Sequence, residues 1–168
     1  NACTGPQGFQ DTHRTAELVA AALDISAGDV VVCSTGLIGE LLPMDLIEAG
    51  IGLAVDGLDA DGGSAAATSI MTTDTVAKEA VATGDGWSVG GMAKGAGMLA
   101  PALATMLVVI TTDAVVDGLD LDQVLRSATA FSFDRIDSDG CMSTNDTVVL
   151  LASGASGISP SAADLTEA

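Results

Sequence analysis

Thr105-Met106-Leu107-Val108-Val109-Ile110-Thr111-Thr112 is the stretch that decides the fold. It is apolar and β-branched with no polar alternation, the pattern of a strand covered on both faces. A central strand is therefore expected over 105–112. The residues before it, Trp87-Ser88-Val89-Gly90-Gly91-Met92-Ala93-Lys94-Gly95-Ala96-Gly97-Met98, open like a strand and then turn glycine-rich, and Pro101 breaks the backbone. Main chain must pass close to a neighbour there.

Outward from this centre, strands and helices alternate. His13 to Leu23 sets Ala16, Val19, Ala20 and Leu23 on one face at helical spacing, and Gly28 ends that segment. Asp29-Val30-Val31-Val32-Cys33 reads as a buried strand opening into a loop at Ser34-Thr35-Gly36. Pro43 starts a helix through Met44, Leu46, Ile47 and Ile51. A loop over 56–63, a short helix over 65–71 and a strand over 76–81 follow. Beyond the central strand, 121–130 is an amphipathic helix, 148–152 a buried strand, and Ser159-Pro160 opens a last helix. With no internal repeat and no low-complexity linker, the class is α/β or a layered α+β sandwich.

Composition narrows the function. The 168 residues carry 5 Lys+Arg against 23 Asp+Glu, a net charge of −18, which excludes a basic nucleic-acid surface. Mean hydropathy of +0.49 is too high for a disordered acidic tail. No apolar run reaches the roughly 18 residues of a membrane span, so no membrane insertion is expected. The start, Asn1-Ala2-Cys3, shows neither an initiator Met nor a secretory signal, and is expected to be internal to a longer chain. Cys3, Cys33 and Cys141 form an odd set without a C-x-x-C pair, as reduced structural thiols of a reducing compartment do.

The familiar site motifs fit poorly. In a P-loop the Lys follows the last Gly, whereas Lys94 precedes Gly95. Gly95-Ala96-Gly97 with Ala100 matches a dinucleotide fingerprint formally, but Pro101 sits where the helix should be entered. Arg135-Ile136-Asp137-Ser138-Asp139-Gly140 imitates a calcium loop with a cation in its first ligand position. The single histidine, His13, reads as a solvated surface residue, so no Ser-His-Asp triad or His/Cys metal set is available and no metal is expected.

The segment Lys94-Gly95-Ala96-Gly97-Met98-Leu99-Ala100-Pro101-Ala102-Leu103-Ala104-Thr105-Met106-Leu107 resembles the self-cleavage segment of the ornithine acetyltransferase family, also called glutamate N-acetyltransferases. Asn1-Ala2-Cys3-Thr4-Gly5, Ser34-Thr35-Gly36-Leu37-Ile38-Gly39, Ile70-Met71-Thr72-Thr73-Asp74 and Ser143-Thr144-Asn145-Asp146-Thr147 resemble further blocks of that family, in its order. The resemblance covers the whole chain and implies a central fragment of a longer protein. It implies an α-β-β-α sandwich, incomplete in this fragment, and cleavage of the Ala104–Thr105 bond, which leaves residues 1–104 as the end of an α chain and 105–168 as the start of a β chain.

The resemblance further implies that Thr105 is the nucleophile, that Thr35 and Gly36 form the oxyanion hole, and that Thr72, Lys94 and Thr105 bind substrate. The reaction would be acetyl transfer from N-acetylornithine to glutamate in cytoplasmic arginine biosynthesis, without a cofactor, some members also taking acetyl-CoA as a substrate. Two α and two β chains would assemble, a heterotetramer with no nucleic acid and no membrane partner. The chemistry is intelligible in itself. A chain-terminal threonine supplies an α-amino group of pKa about 7.7–8.0 as base for its own hydroxyl, and needs no histidine. An amidohydrolase or aminopeptidase using the same nucleophile, and a non-catalytic fragment, stay open as alternatives.

Overall fold

A computed structural model describes residues 2–100, 103–104 and 106–168, side chains at 99, 100, 103 and 104 excepted. The chain forms two compact units, Asn1–Gly62 and Gly63–Ala168.

In the first unit, α1 (Gly5–Leu23) starts earlier than its apolar stripe, because Pro6 fits the first turn of a helix. Asp24 ends it in the left-handed conformation, φ 55°. Ala20, on the stripe read from the sequence, is buried. Helix α2 (Met44–Asp56) begins just after Pro43 and packs against α1. The strand expected over 29–33 does not form. Ala27–Asp29 is a 3-10 turn, the following residues are irregular, and Val31 is 63% exposed. β-branched residues favour extended backbone, but a strand needs a partner for its N–H and C=O groups, and none pairs with 30–33 among the described residues.

The second unit opens with α3 (Gly63–Ser69) and is built on a four-stranded sheet of β1 (Lys78–Thr83), β2 (Ser88–Lys94), β5 (Leu107–Thr112) and β6 (Thr147–Ala152), in that spatial order. Between β2 and β5, β3 (Leu99–Ala100) and β4 (Leu103–Ala104) form a separate two-stranded pair, Leu99 opposite Ala104. β1–β2 and β2–β5 are antiparallel. β5–β6 is parallel, so the chain must cross over between them, which α4 (Leu121–Phe131) accomplishes. Asp120 caps α4, its carboxylate accepting the Gln123 N–H at 3.0 Å. α5 (Ala162–Glu167) closes the chain, with Ser161 accepting the Asp164 N–H as its cap.

The strand read over 105–112 is thus β5, flanked on both sides, with Leu107 and Val108 buried. The α/β class is the class observed. β6 differs from expectation: it is an edge strand, half-buried at its start and exposed at Leu151, because only β5 pairs with it. Two apolar clusters hold the unit, Trp87-Ala114-Val124-Leu165 and Met106-Val108. The first ties α4 and α5 to the end of β2. Leu165→Ala, at 5% exposure, should lower stability by about 2–5 kcal/mol, whereas Val81→Ala, at 76% exposure, should stay near 0.5 kcal/mol. Urea unfolding followed by fluorescence of Trp87, the single tryptophan, measures both.

Candidate active site

The sequence calls for acid-base-poor chemistry near Lys94, and the sheet explains how a lysine is kept there. Lys94 ends β2 opposite Leu107 of β5, and Leu107 is in turn opposite Thr147 of β6. Only 2% of Lys94 is exposed. Burial pushes its pKa down, while the carboxylates of Asp74 and Asp146 pull it back up and the second ammonium, Lys78, pushes it down again.

Asp74 does the most local work. Its side chain is fully buried, Oδ1 accepting the Gly95 N–H at 2.9 Å and the Lys78 ammonium, Oδ2 accepting the Thr72 N–H at 3.4 Å. Lys78 also donates to the Gly95 carbonyl at 3.2 Å. Burial alone would raise the Asp74 pKa; the Lys78 ammonium and the Gly95 and Thr72 amides outweigh it and hold the carboxyl at about 2. One carboxylate thereby links Thr72 to Gly95, the residue that follows Lys94; Thr72 and Lys94 are two of the substrate positions the resemblance implies. Gly95 accepts this with φ 149°, a backbone conformation a side chain would strain.

Thr105 lies outside the described residues. Met106 is buried, its N–H donates to Asp146 Oδ1 at 3.0 Å, and its carbonyl accepts the Thr147 N–H at 3.0 Å. Ala104 ends β4. Upstream, Met98 adopts the left-handed conformation, φ 53°, which costs a non-glycine residue about 1–2 kcal/mol. Asp139 holds it there, Oδ2 accepting the Met98 N–H at 2.8 Å. Within the glycine-rich stretch, positive φ occurs at Gly95, which accepts it freely, and at Met98, which is strained by it; Pro101 is outside the described residues. The segment weighed as a calcium loop has this bracing contact instead, and no cluster of metal-ligating side chains occurs among the described residues.

Thr35 and Gly36 belong to the first unit. They precede a turn at 37–39 in which Gly39, φ 83°, donates its N–H to the Ala2 carbonyl at 2.9 Å. Thr35 is half-buried and Gly36 exposed, on irregular backbone whose amides are not committed to a ladder. His13 is exposed, its Nδ1 2.9 Å from the Phe9 carbonyl, as read from the sequence. All three cysteines are free thiols, and burial raises the pKa of Cys33. A groove of about 1110 Å³ in the second unit is lined by Ala80, Val89, Ile110, Val124, Phe131 and Leu165, away from Asp74 and Lys94. Its lining is mostly apolar, with Lys78, Glu79, Asp120 and Gln123 among the polar residues that also border it. Sequence reading gave Asp74 only as the end of a family block and Asp139 only as a position in a calcium-like run, and assigned neither a role. The signal for Asp74 was a lysine four residues on, at position 78.

The ArgJ family model matches residues 1–168. The arginine biosynthesis bifunctional protein ArgJ of Streptomyces avermitilis is 66% identical over 168 residues, covering all of this chain and 44% of that protein. The protein of the same name from Mycobacterium leprae is 62% identical over 176 residues, covering 100% of this chain and 43% of its own length. The chain therefore spans less than half the length of these relatives. The crystal structure of arginine biosynthesis bifunctional protein argJ from Bacillus halodurans is similar with a TM-score of 0.52 and 39% identity, covering 59% of this chain and 54% of that one. No helix among the described residues is long and apolar enough to cross a membrane.

The Asp74 network makes an acid-stability prediction. Its folded pKa, about 2, lies below the ordinary aspartate value of about 3.9, so its contribution is fully present above pH 4 and is lost as the pH falls through 2. Asp74→Asn should remove about 1–2 kcal/mol of stability at neutral pH and flatten the stability curve between pH 4 and 2. Unfolding by urea at stepped pH, variant against parent, reads the difference.

Proposed function

Because the chain belongs to the ArgJ family, we propose that the protein carrying it is an acetyltransferase of arginine biosynthesis, working through an acetyl ester on Thr105 after self-cleavage of the Ala104–Thr105 bond. The observation that carries this reading is the match to the family along the whole chain. Acetyl passes from N-acetylornithine to glutamate. The relatives are named bifunctional, which supports acetyl-CoA as a second donor. The remaining parts are proposals of the same rank: a cytoplasmic enzyme, assembled from two α and two β chains, with no cofactor.

In cleavage, the Thr105 hydroxyl attacks the Ala104 carbonyl carbon, the Ala104–Thr105 C–N bond breaks, and the hydroxyl proton ends on the departing nitrogen. Water then hydrolyses the ester and leaves Thr105 with a free α-amino group. That amine, ordinarily of pKa about 7.7–8.0, takes the hydroxyl proton when the oxygen attacks the acetyl carbon of the donor, and returns it to the ornithine nitrogen as that leaves. The amino group of glutamate attacks the acetyl ester and restores the hydroxyl. Thr35 and Gly36 donate to the oxygen that becomes negative in each addition. Lys94, charged and nearly dry, attracts the α-carboxylate of the amino acid, with Thr72 beside it on the same Asp74 clamp.

In a chain of the relatives' full length carrying this sequence, intact-mass measurement should find two polypeptides, the second beginning at Thr105. Thr105→Ala should leave one uncut polypeptide with no transfer activity. A Thr105→Ala protein that still cuts at Ala104 would overturn the assignment. Peptide hydrolysis without acetyl transfer would identify an aminopeptidase or amidohydrolase instead, and an uncut inactive parent a structural role.

Thr35→Ala and Lys94→Ala should fail differently. Loss of an oxyanion donor lowers kcat by about 10²–10³ with little change in KM. Loss of the Lys94 charge should chiefly raise KM for glutamate. Steady-state kinetics of both variants separate the roles.

A further inference from the structure

Met98 stands in the left-handed region, φ 53°, where glycine is the usual occupant. Its own packing does not force this, since 39% of the residue is exposed. The restraint comes from Asp139, 41 residues on: Oδ2 accepts the Met98 N–H at 2.8 Å, and Oδ1 accepts the Cys141 N–H at 3.1 Å. A Cβ added at Gly97 would meet Oδ2 at 3.6 Å, so the carboxylate lies against the backbone of both residues. The place matters because β3 starts at the next residue. Leu99 pairs with Ala104 and Ala100 with Leu103, so the direction in which Met98 releases the chain decides where β4 carries Ala104. Met106, which ends no more than about 7 Å of chain beyond Ala104, is itself anchored by Asp146 and Thr147. With that side fixed, the dihedral angles at Met98 control how the Ala104 carbonyl is presented.

Resting on the proposed self-cleavage, we propose that Asp139 is a positioning residue for that step: by holding Met98 left-handed, it keeps the β3–β4 pair in the orientation in which the Ala104 carbonyl is attacked. Asp139 touches none of the reacting atoms and acts only through the Met98 backbone. Without its carboxylate, Met98 relaxes to negative φ and the pair leaves in another direction. The preference of a non-glycine residue against the left-handed region corresponds to about 5- to 30-fold in population, and the rate of cleavage should follow that population. Asp74 accepts the Gly95 N–H in a similar way, but a glycine needs no partner to hold positive φ, so the restraint on direction belongs to Asp139. Met98 and Asp139 also lie on opposite sides of the bond to be cut. Their contact therefore spans the boundary between the two future chains while the precursor is still whole.

The test uses a chain of the relatives' full length carrying this sequence, made by cell-free translation and stopped at timed intervals, with intact mass reporting the polypeptide that begins at Thr105. Asp139→Ala should slow its appearance about 5- to 30-fold. Met98→Gly alone should cleave within about threefold of the parent, because glycine takes the left-handed conformation unaided. The deciding variant joins the two substitutions. Met98→Gly should make the Asp139→Ala chain cleave at least about threefold faster, whereas a defect arising from the lost Cys141 contact would persist. Asp139→Ala slowed by less than about threefold, or a double variant less than about threefold faster than Asp139→Ala, would overturn the proposal. Should Asp139→Ala not fold, Met98→Val and Met98→Asn with Asp139 intact take its place: the branched side chain resists positive φ and asparagine tolerates it, so Val should cleave at least about threefold more slowly than Asn, and equal rates overturn the proposal. A parent that is never cut between Ala104 and Thr105 sinks the cleavage reading instead, so the two failures are distinguishable.

Discussion

A lysine that is 2% exposed can keep its charge only if anions are built in around it, and much of the second unit is arranged to meet that requirement at Lys94. Lys94 terminates β2, so the anions must come from the elements that meet at that end of the sheet. Asp74 arrives from the turn before β1 and Asp146 from the residue before β6. Each carboxylate also accepts a backbone N–H one residue beyond the Lys94–Leu107–Thr147 row, Gly95 for Asp74 and Met106 for Asp146. Charge compensation and chain register are thereby the same contacts. Removing either side chain would free a strand end as well as unbalance the lysine.

The fold was legible where local pattern and tertiary environment agree. β5 is a run of β-branched residues because it is paired on both sides, and α4 shows its stripe because one face meets α5 and the Trp87 cluster, with Val124 buried. Where pattern depends on a partner, it misled. Val30-Val31-Val32 has the composition of a strand and no ladder, and Val148 to Ala152 looks like a buried strand but lies at an edge. β1 begins two residues later than read, at Lys78, since the backbone before it is tied up in the Asp74 turn. Periodicity reports which faces meet apolar matter. It does not report which strand lies next to which.

The candidate site was legible through a resemblance and only partly through chemistry. Lys94, Thr72, Thr35 and Gly36 were quotable as motif residues, but nothing in their spacing says that one buried carboxylate would tie Thr72 to Gly95. That link spans a helix-to-strand turn and the far end of a hairpin, and depends on the antiparallel register that sets Lys78 opposite Ala93. Asp139 was visible only as a failed calcium ligand. Its actual contact, the N–H of a left-handed Met98, depends on a backbone conformation that no residue pattern announces for methionine.

These acids share a division of labour. The single histidine of these 168 residues, His13, is exposed on α1. A carboxylate fixed as an anion holds no proton to exchange: Asp74, held at about 2, is a permanent acceptor for backbone and lysine hydrogens. In the proposed reaction the acids set geometry and field, and the proton moves on the α-amino group that cleavage would free, ordinarily of pKa about 7.7–8.0. The strained Met98, the paired β3 and β4, and the fixed Met106 place backbone restraint on both sides of the bond whose rupture would create it.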